Sequence, residues 1–169
     1  MHQMKTLCSS CSLRELCLPV GLLPNEFAQL DAVIRQSRRL KKGEYLFRTG
    51  EPFASLFAIR AGFFKTTVAS QDGRDQVTGF FMSGELIGMD GICSHVHSCD
   101  AVALEDSEVC ELPFTHIEEL GHNIPSLRSH FFRLMSREIV RDQGVMLLLG
   151  NMRAEERLAA FFLHPCTRT

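Results

Sequence analysis

The sequence predicts a mainly β fold with flanking helices: a β-roll or jelly roll followed by one long helix. Three observations carry this. Runs rich in β-branched and aromatic residues follow one another from Leu40 to Phe114. Gly43, Gly50, Gly62, Gly73, Gly79, Gly84 and Gly88 fall between or inside those runs, as corners and tight turns of a closed β architecture require. The segments on either side of the runs read at helical period instead.

Taken in order, residues 1–23 are a cysteine-rich segment, 24–123 the roll, 124–152 the long helix and 153–169 the start of a further region. In PNEFAQLDAVI, residues 24–34, Phe27, Leu30, Val33 and Ile34 lie at helical spacing behind a Pro-Asn start signal, which predicts a short packing helix. The strand-like runs are KKGEYLF, SLFAIRAGFFKTTV, DQVTGFF, GELIGM, AVALED and SEVCELPF. Asp72-Gly73 predicts a two-residue hairpin turn, whose central positions both need a positive φ. After Pro113 the period becomes helical, and PSLRSHFFRLMSREIVRDQGVMLLLG runs from Pro125, tolerated in a first turn, to Gly150.

That helix carries two apolar stripes. Phe132, Met135, Ile139, Met146 and Leu149 fall on alternating 3,4 spacing once Asp142 is admitted to the seam, the pattern of a two-stranded coiled coil. Leu127, Phe131, Leu134, Val145 and Leu148 form the second. One stripe is expected to face the roll and the other a twin subunit, giving a homodimer.

Composition excludes several classes. A chain of 169 residues, 45% hydrophobic and 22% charged, can bury one substantial core. MHQMKTL lacks the apolar run of a secretory signal, and no stretch approaches the ~18 apolar residues of a membrane span. The chain is therefore expected in the cytoplasm, with no membrane partner. Its net charge of −2 provides no basic footprint for nucleic acid. Nor does it contain a Ser-His-acid arrangement, a Walker loop or a defensible carboxylate pair, so no enzyme is expected.

Seven cysteines are an odd number, and cytoplasmic thiols stay reduced, so a disulfide framework fits poorly. Cys8, Cys11 and Cys17 form a C-x2-C-x5-C cluster that needs a fourth ligand for tetrahedral zinc or a four-iron cluster. Cys93, Cys99, Cys110 and Cys166 are the candidates. Cys110 is chosen because SEVCELPF predicts a rigid strand handing over to a helix. Structural zinc prefers paired knuckles, so a lone remote fourth ligand favours iron–sulfur, with zinc and plain buried thiols as the alternatives. Leu13, Leu16 and Leu18 suit a cluster kept partly from water. A metal site built from Cys93, His95, His97 and Cys99 in CSHVHSC has suitable ligand types but poor geometry for so short a turn; Cys93 and Cys99 are expected to pack.

The cysteine spacing, with LFAIRAGFFKT, QVTGFFMSGELIG, VCELPF and AEERLAAF, resembles the FNR-type oxygen-sensing regulators of the Crp/Fnr family, from Cys8 to Phe161. The resemblance implies a cyclic-nucleotide-binding-like roll followed by a dimerisation helix. It also implies that Cys8, Cys11, Cys17 and Cys110 hold a [4Fe-4S] cluster, which oxygen converts to a smaller one, dissolving the DNA-binding dimer. It further implies that the hairpin Gln71, Asp72, Gly73, Arg74 and Asp75 touches RNA polymerase. Zinc in the same site, or no cluster at all, would leave a regulator fragment that acts as an inert dimerisation partner.

Related rolls bind cyclic nucleotides, for which GELIG would have to be followed by an arginine pairing the phosphate. No arginine or lysine occurs between Gly84 and Ala103, and Asp90 lies within that stretch, so no cyclic nucleotide is expected. The family continues past AEERLAAF into a helix-turn-helix domain. This sequence runs to FFLHPCTRT, and DNA contact is expected only through that further domain.

Asp142 breaks the packing rule of its seam. In a symmetric pair it approaches its own copy, and the intact cluster, held through Cys110 shortly before the helix, is expected to shift how Phe132, Met135 and Ile139 dock and so tip a balanced equilibrium.

Overall fold

In the computed structural model the described residues are 23–33, 37–69, 73 and 75–151; of 145 and 147–151 only the backbone is described. Helix α1 spans Pro24–Val33. Its start is fixed locally: the Leu23 N–H donates to the Glu26 carboxylate at 2.7 Å, and the Leu23 carbonyl accepts from the Glu26 and Phe27 N–H groups. Eight strands follow: β1 Ser37–Leu40, β2 Tyr45–Phe47, β3 Ser55–Ala61, β4 Phe63–Ala69, β5 Asp75–Met82, β6 Leu86–Ile87, β7 Asp100–Ala103 and β8 Ser107–Pro113. Helices α2, Phe114–Asn123, and α3, Pro125–Asn151, complete the order.

The strands form two antiparallel four-stranded sheets, β1-β8-β3-β6 and β2-β7-β4-β5. Side chains that alternate inward from both meet in one core. It contains Leu40, Phe57, Ile59, Ile87 and Val109 from the first sheet and Leu46, Phe47, Phe64, Phe81, Ala101 and Ala103 from the second, with Cys99 beside them. Each fully buried aromatic or branched side chain there is worth about 1.5–3 kcal/mol of transfer free energy.

Gly62 alone separates β3 from β4, which lie in different sheets, so the chain changes sheet at one residue. Its φ is +100°, and a Cβ there would stand 2.0 Å from Ser107 Oγ. Both facts demand glycine.

A smaller cluster of Leu30, Leu120, Ile124 and Leu127, with Phe27 and Val33 against it, ties α1, α2 and the first turns of α3 together. Because Leu127 belongs to this cluster, the chain divides into compact units inside α3, between His130 and Phe131.

The structure departs from sequence expectation in details. SRRL forms β1 just ahead of where strands were expected, because two exposed arginines disguise an edge strand. Gly79 is not a corner. It lies within β5 beside a bulge that leaves Thr78 extra, with the Thr78 and Thr66 hydroxyls 2.9 Å apart. The β4–β5 ladder is paired as far as Ala69↔Asp75, and of the expected Asp72-Gly73 turn Gly73, at φ 79°, is described whereas Asp72 lies outside the described residues.

Candidate functional site

Cys110 lies mid-strand in β8, opposite Ser37 of β1 on one side and Ala58 of β3 on the other. Its neighbour Val109 points into the inter-sheet core, so period-two alternation turns Cys110 to the outer face of the sheet. There it is buried to 8% exposure in a separate apolar cluster with Ala58, Leu86 and Leu112. A rigid central strand thus holds a buried thiol in an apolar patch away from the main core. Cys8, Cys11, Cys17 and Cys166 lie outside the described residues.

Glu108, two residues before Cys110 and on the same face, is anchored by arginines. Arg60 Nη1 donates to its carboxylate at 2.8 Å, and Arg39 Nε lies 3.9 Å away. Arg60 is the extra residue of a bulge where Ile59 and Ala61 face Val109 and Glu108.

The other cysteines separate. Cys99 is buried in the core, and its thiol pKa is pushed up to about 12 by burial, then by the charge and hydrogen bond of Asp90 and by Asp100. It packs as expected. Cys93 does not: it is exposed in the turn after a single 3₁₀ turn at Met89–Gly91. His95, with φ 60°, is exposed, whereas His97 is buried at 4%. Cys93, His95, His97 and Cys99 therefore do not converge, and among the described residues no group of three or more His, Cys, Asp or Glu side chains could hold a metal ion.

Within GELIG, Glu85 accepts from the Met82 N–H at 2.7 Å, and in the loop that follows, Asp90 accepts from the Ser98 N–H at 2.7 Å. His97 stacks on Phe47 with ring centroids 3.7 Å apart, and its Nδ1 lies 3.2 Å from Asp90 Oδ1. Sequence reading noted Asp90 as an acidic residue in the loop but missed His97 as a core residue; with His95 and Val96 exposed and His97 buried, no period in the segment marked it.

On α3, Phe132, Ile139 and Met146 are 58%, 59% and 70% exposed, and Asp142 is exposed between the last two. Met135 is half-buried, and the Leu149 side chain lies outside the described set. In the hairpin, Gly73 has φ 79° and Asp75 opens β5, both exposed; Gln71, Asp72 and Arg74 lie outside the described residues. Among the described residues no helix is long and apolar enough to cross a membrane.

Residues 37–123 match the cyclic nucleotide-binding domain. Over 161 residues the chain is 45% identical to the transcriptional activator protein anr of Pseudomonas aeruginosa, covering 95% of this chain and 66% of that protein. It is likewise 45% identical over 161 residues to the fumarate and nitrate reduction regulatory protein of Escherichia coli, covering 95% and 64%. Among solved structures, FixK2 from Bradyrhizobium japonicum shares the fold at TM-score 0.71 and 23% identity, over 76% of this chain and 64% of that one. The chain spans about two thirds of the length of these curated relatives. Two sheets in the observed order, a matched domain across them and relatives of this identity agree with one another: the chain belongs to the Crp/Fnr family of transcription regulators.

Proposed function

We propose that this chain is the sensing and dimerisation part of an oxygen-responsive transcription regulator, and that Cys8, Cys11, Cys17 and Cys110 together hold a [4Fe-4S] cluster. The observation that carries the reading is the placement of Cys110. A buried thiol on the outer face of a central strand, lined by Ala58, Leu86 and Leu112, is the donor chemistry and the apolar setting that a thiolate-ligated cluster takes. When bound, such a cluster supplies a centre that reacts with oxygen. The chain's own residues do the rest. The β3 and β1 ladders hold Cys110 in place, and Pro113 and α2 lead from it to α3.

The exposed Phe132, Ile139 and Met146, spaced by seven residues, support a parallel homodimer through α3. Contact with RNA polymerase belongs to the 71–75 hairpin, and DNA contact to the helix-turn-helix that follows AEERLAAF in the family. The stretch from Gly84 to Ala103, which contains Asp90 and no arginine or lysine, supports a roll that takes no cyclic nucleotide.

Anaerobic purification tests the reading. The expected product is brown, with a visible absorbance band that changes on exposure to air, and Cys110→Ala loses both colour and iron. A colourless protein with stoichiometric zinc would overturn it in favour of a zinc-stabilised regulator.

A further inference from the structure

Met146 is 70% exposed, whereas Met82, Met89 and Met135, the other methionines among the described residues, are partly buried. It stands seven residues after Ile139 and four after Asp142, so on α3 the three share one stripe. The turn that carries it is open: Asp142, Gln143 and Gly144 are exposed, and a Cβ on Gly144 would meet nothing within 4 Å. We infer that Met146 is an oxidation site, open in the single chain and covered in the pair, whose conversion to the sulfoxide by a peroxide blocks pairing through α3. The inference rests on the α3 homodimer proposed above.

The chemistry needs only hydrogen peroxide as co-reactant. The thioether sulfur attacks one peroxide oxygen with an electron pair, and the O–O bond breaks. The second oxygen leaves as hydroxide and takes the proton from the oxygen now on sulfur, giving the sulfoxide and water. Sulfur is oxidised by two electrons and the peroxide is reduced by two. A flexible apolar side chain has become a polar one that accepts hydrogen bonds. In a parallel pair Met146 meets its own copy, and the seam positions on either side, Asp142 and Leu149, carry no donor for the new oxygen. Each unpaired polar group drawn out of water weakens association about tenfold, so the two copies weaken it about a hundredfold. Chains released by oxygen therefore present the site, and an oxidised chain stays single after its cluster is rebuilt, until the sulfoxide is reduced.

The test treats the full chain in air with hydrogen peroxide while its thiols are capped as glutathione mixed disulfides. Dithiothreitol then frees the thiols but leaves sulfoxides in place, and iron and sulfide are restored anaerobically. Peptide mass mapping should show Met146 oxidised ahead of Met82, Met89 and Met135. Sedimentation velocity, with iron measured on the same sample, should show dimerisation weakened about a hundredfold relative to the untreated chain. Methionine sulfoxide reductases should restore it, with recovery tracking the loss of sulfoxide at Met146. Met146→Leu, compared with its own untreated sample, should not respond to peroxide. If that variant does not pair even untreated, the reductase recovery of the parent decides. An untreated sample that holds iron yet stays monomeric overturns the α3 pairing and the inference with it. A treated chain that carries the sulfoxide at Met146 and pairs as before, or a Met146→Leu chain that responds like the parent, overturns the inference alone.

Discussion

Cys110 and Ala58 face each other directly across the β8–β3 ladder, on the side of the sheet turned away from the inter-sheet core. Among the described residues the thiol packs with the methyl of Ala58 and beside Leu86 and Leu112. Replacement of Cys110 by alanine should therefore leave the roll intact, at a cost of about 1 kcal/mol for deleting one methyl-sized group from a buried position. Iron content of the anaerobically purified protein should fall to background. Urea unfolding and iron analysis on the same sample read the two effects separately, and full iron retention would remove Cys110 from the ligand set.

Gly62→Ala should be far more damaging than its size implies. The backbone is held at φ +100°, and the new methyl would meet Ser107 Oγ at 2.0 Å, Cβ at 2.5 Å and Cα at 2.8 Å. Trimming Ser107 cannot clear backbone contacts, so strain and overpacking combine to about 2–4 kcal/mol. A urea midpoint within error of the parent would refute this corner.

Much of this was legible in the sequence, and the reason is local. GFFKTTV and SEVCELP announce strands because aromatic and β-branched residues suit a pleated, half-buried surface. Pro125 marks the start of α3 because its missing N–H costs nothing there. What was illegible depends on tertiary partners. SRRL pairs through Ser37↔Cys110 and Arg39↔Glu108, and Arg38 clips the facing sheet edge by donating to the Leu46 and Tyr45 carbonyls at 3.0 and 3.1 Å. None of those contacts leaves a periodicity in its own segment. The fate of His97 was hidden likewise, since Phe47 and Phe53, distant in sequence, decide that its ring is buried.

Cys93 and Cys99 should behave oppositely toward alkylating reagents. Cys93 is exposed and should be modified by iodoacetamide at pH 8, whereas Cys99, buried and raised to about 12, should resist until the protein unfolds. The pH dependence has a definite sign. The folded state holds the Cys99 proton more tightly than the unfolded chain, whose thiol titrates near 9.0. The stability this contributes is present below pH 9 and is lost as pH rises from there toward 12. Cys99→Ala should flatten that part of the melting profile. Mass-spectrometric mapping of the modified cysteines checks the first expectation, and melting temperatures across pH 8–11 the second.

The exposed stripe on α3 makes opposite predictions for neighbouring positions. Phe132, Ile139 and Met146 recur every seven residues and are more than half exposed, so burying them against a second copy is the gain available to a dimer. Ile139→Glu removes that gain at the centre of the stripe and should yield monomers even in the absence of oxygen. Asp142 opposes the same association. It lies three residues after Ile139, and in a symmetric parallel pair it meets its own copy; like charges ~6 Å apart at an effective dielectric of ~20 cost about 3 kcal/mol, and solvent screening reduces this toward 1. Asp142→Ala should therefore tighten dimerisation by roughly ten- to a hundredfold, enough to keep dimers in air. Sedimentation velocity of the parent, Ile139→Glu and Asp142→Ala, each anaerobic and after air exposure, separates the cases. If Asp142→Ala dissociates in air at the same concentration as the parent, the carboxylate is not what holds the pair at its balance point, and the seam must run along another face of α3.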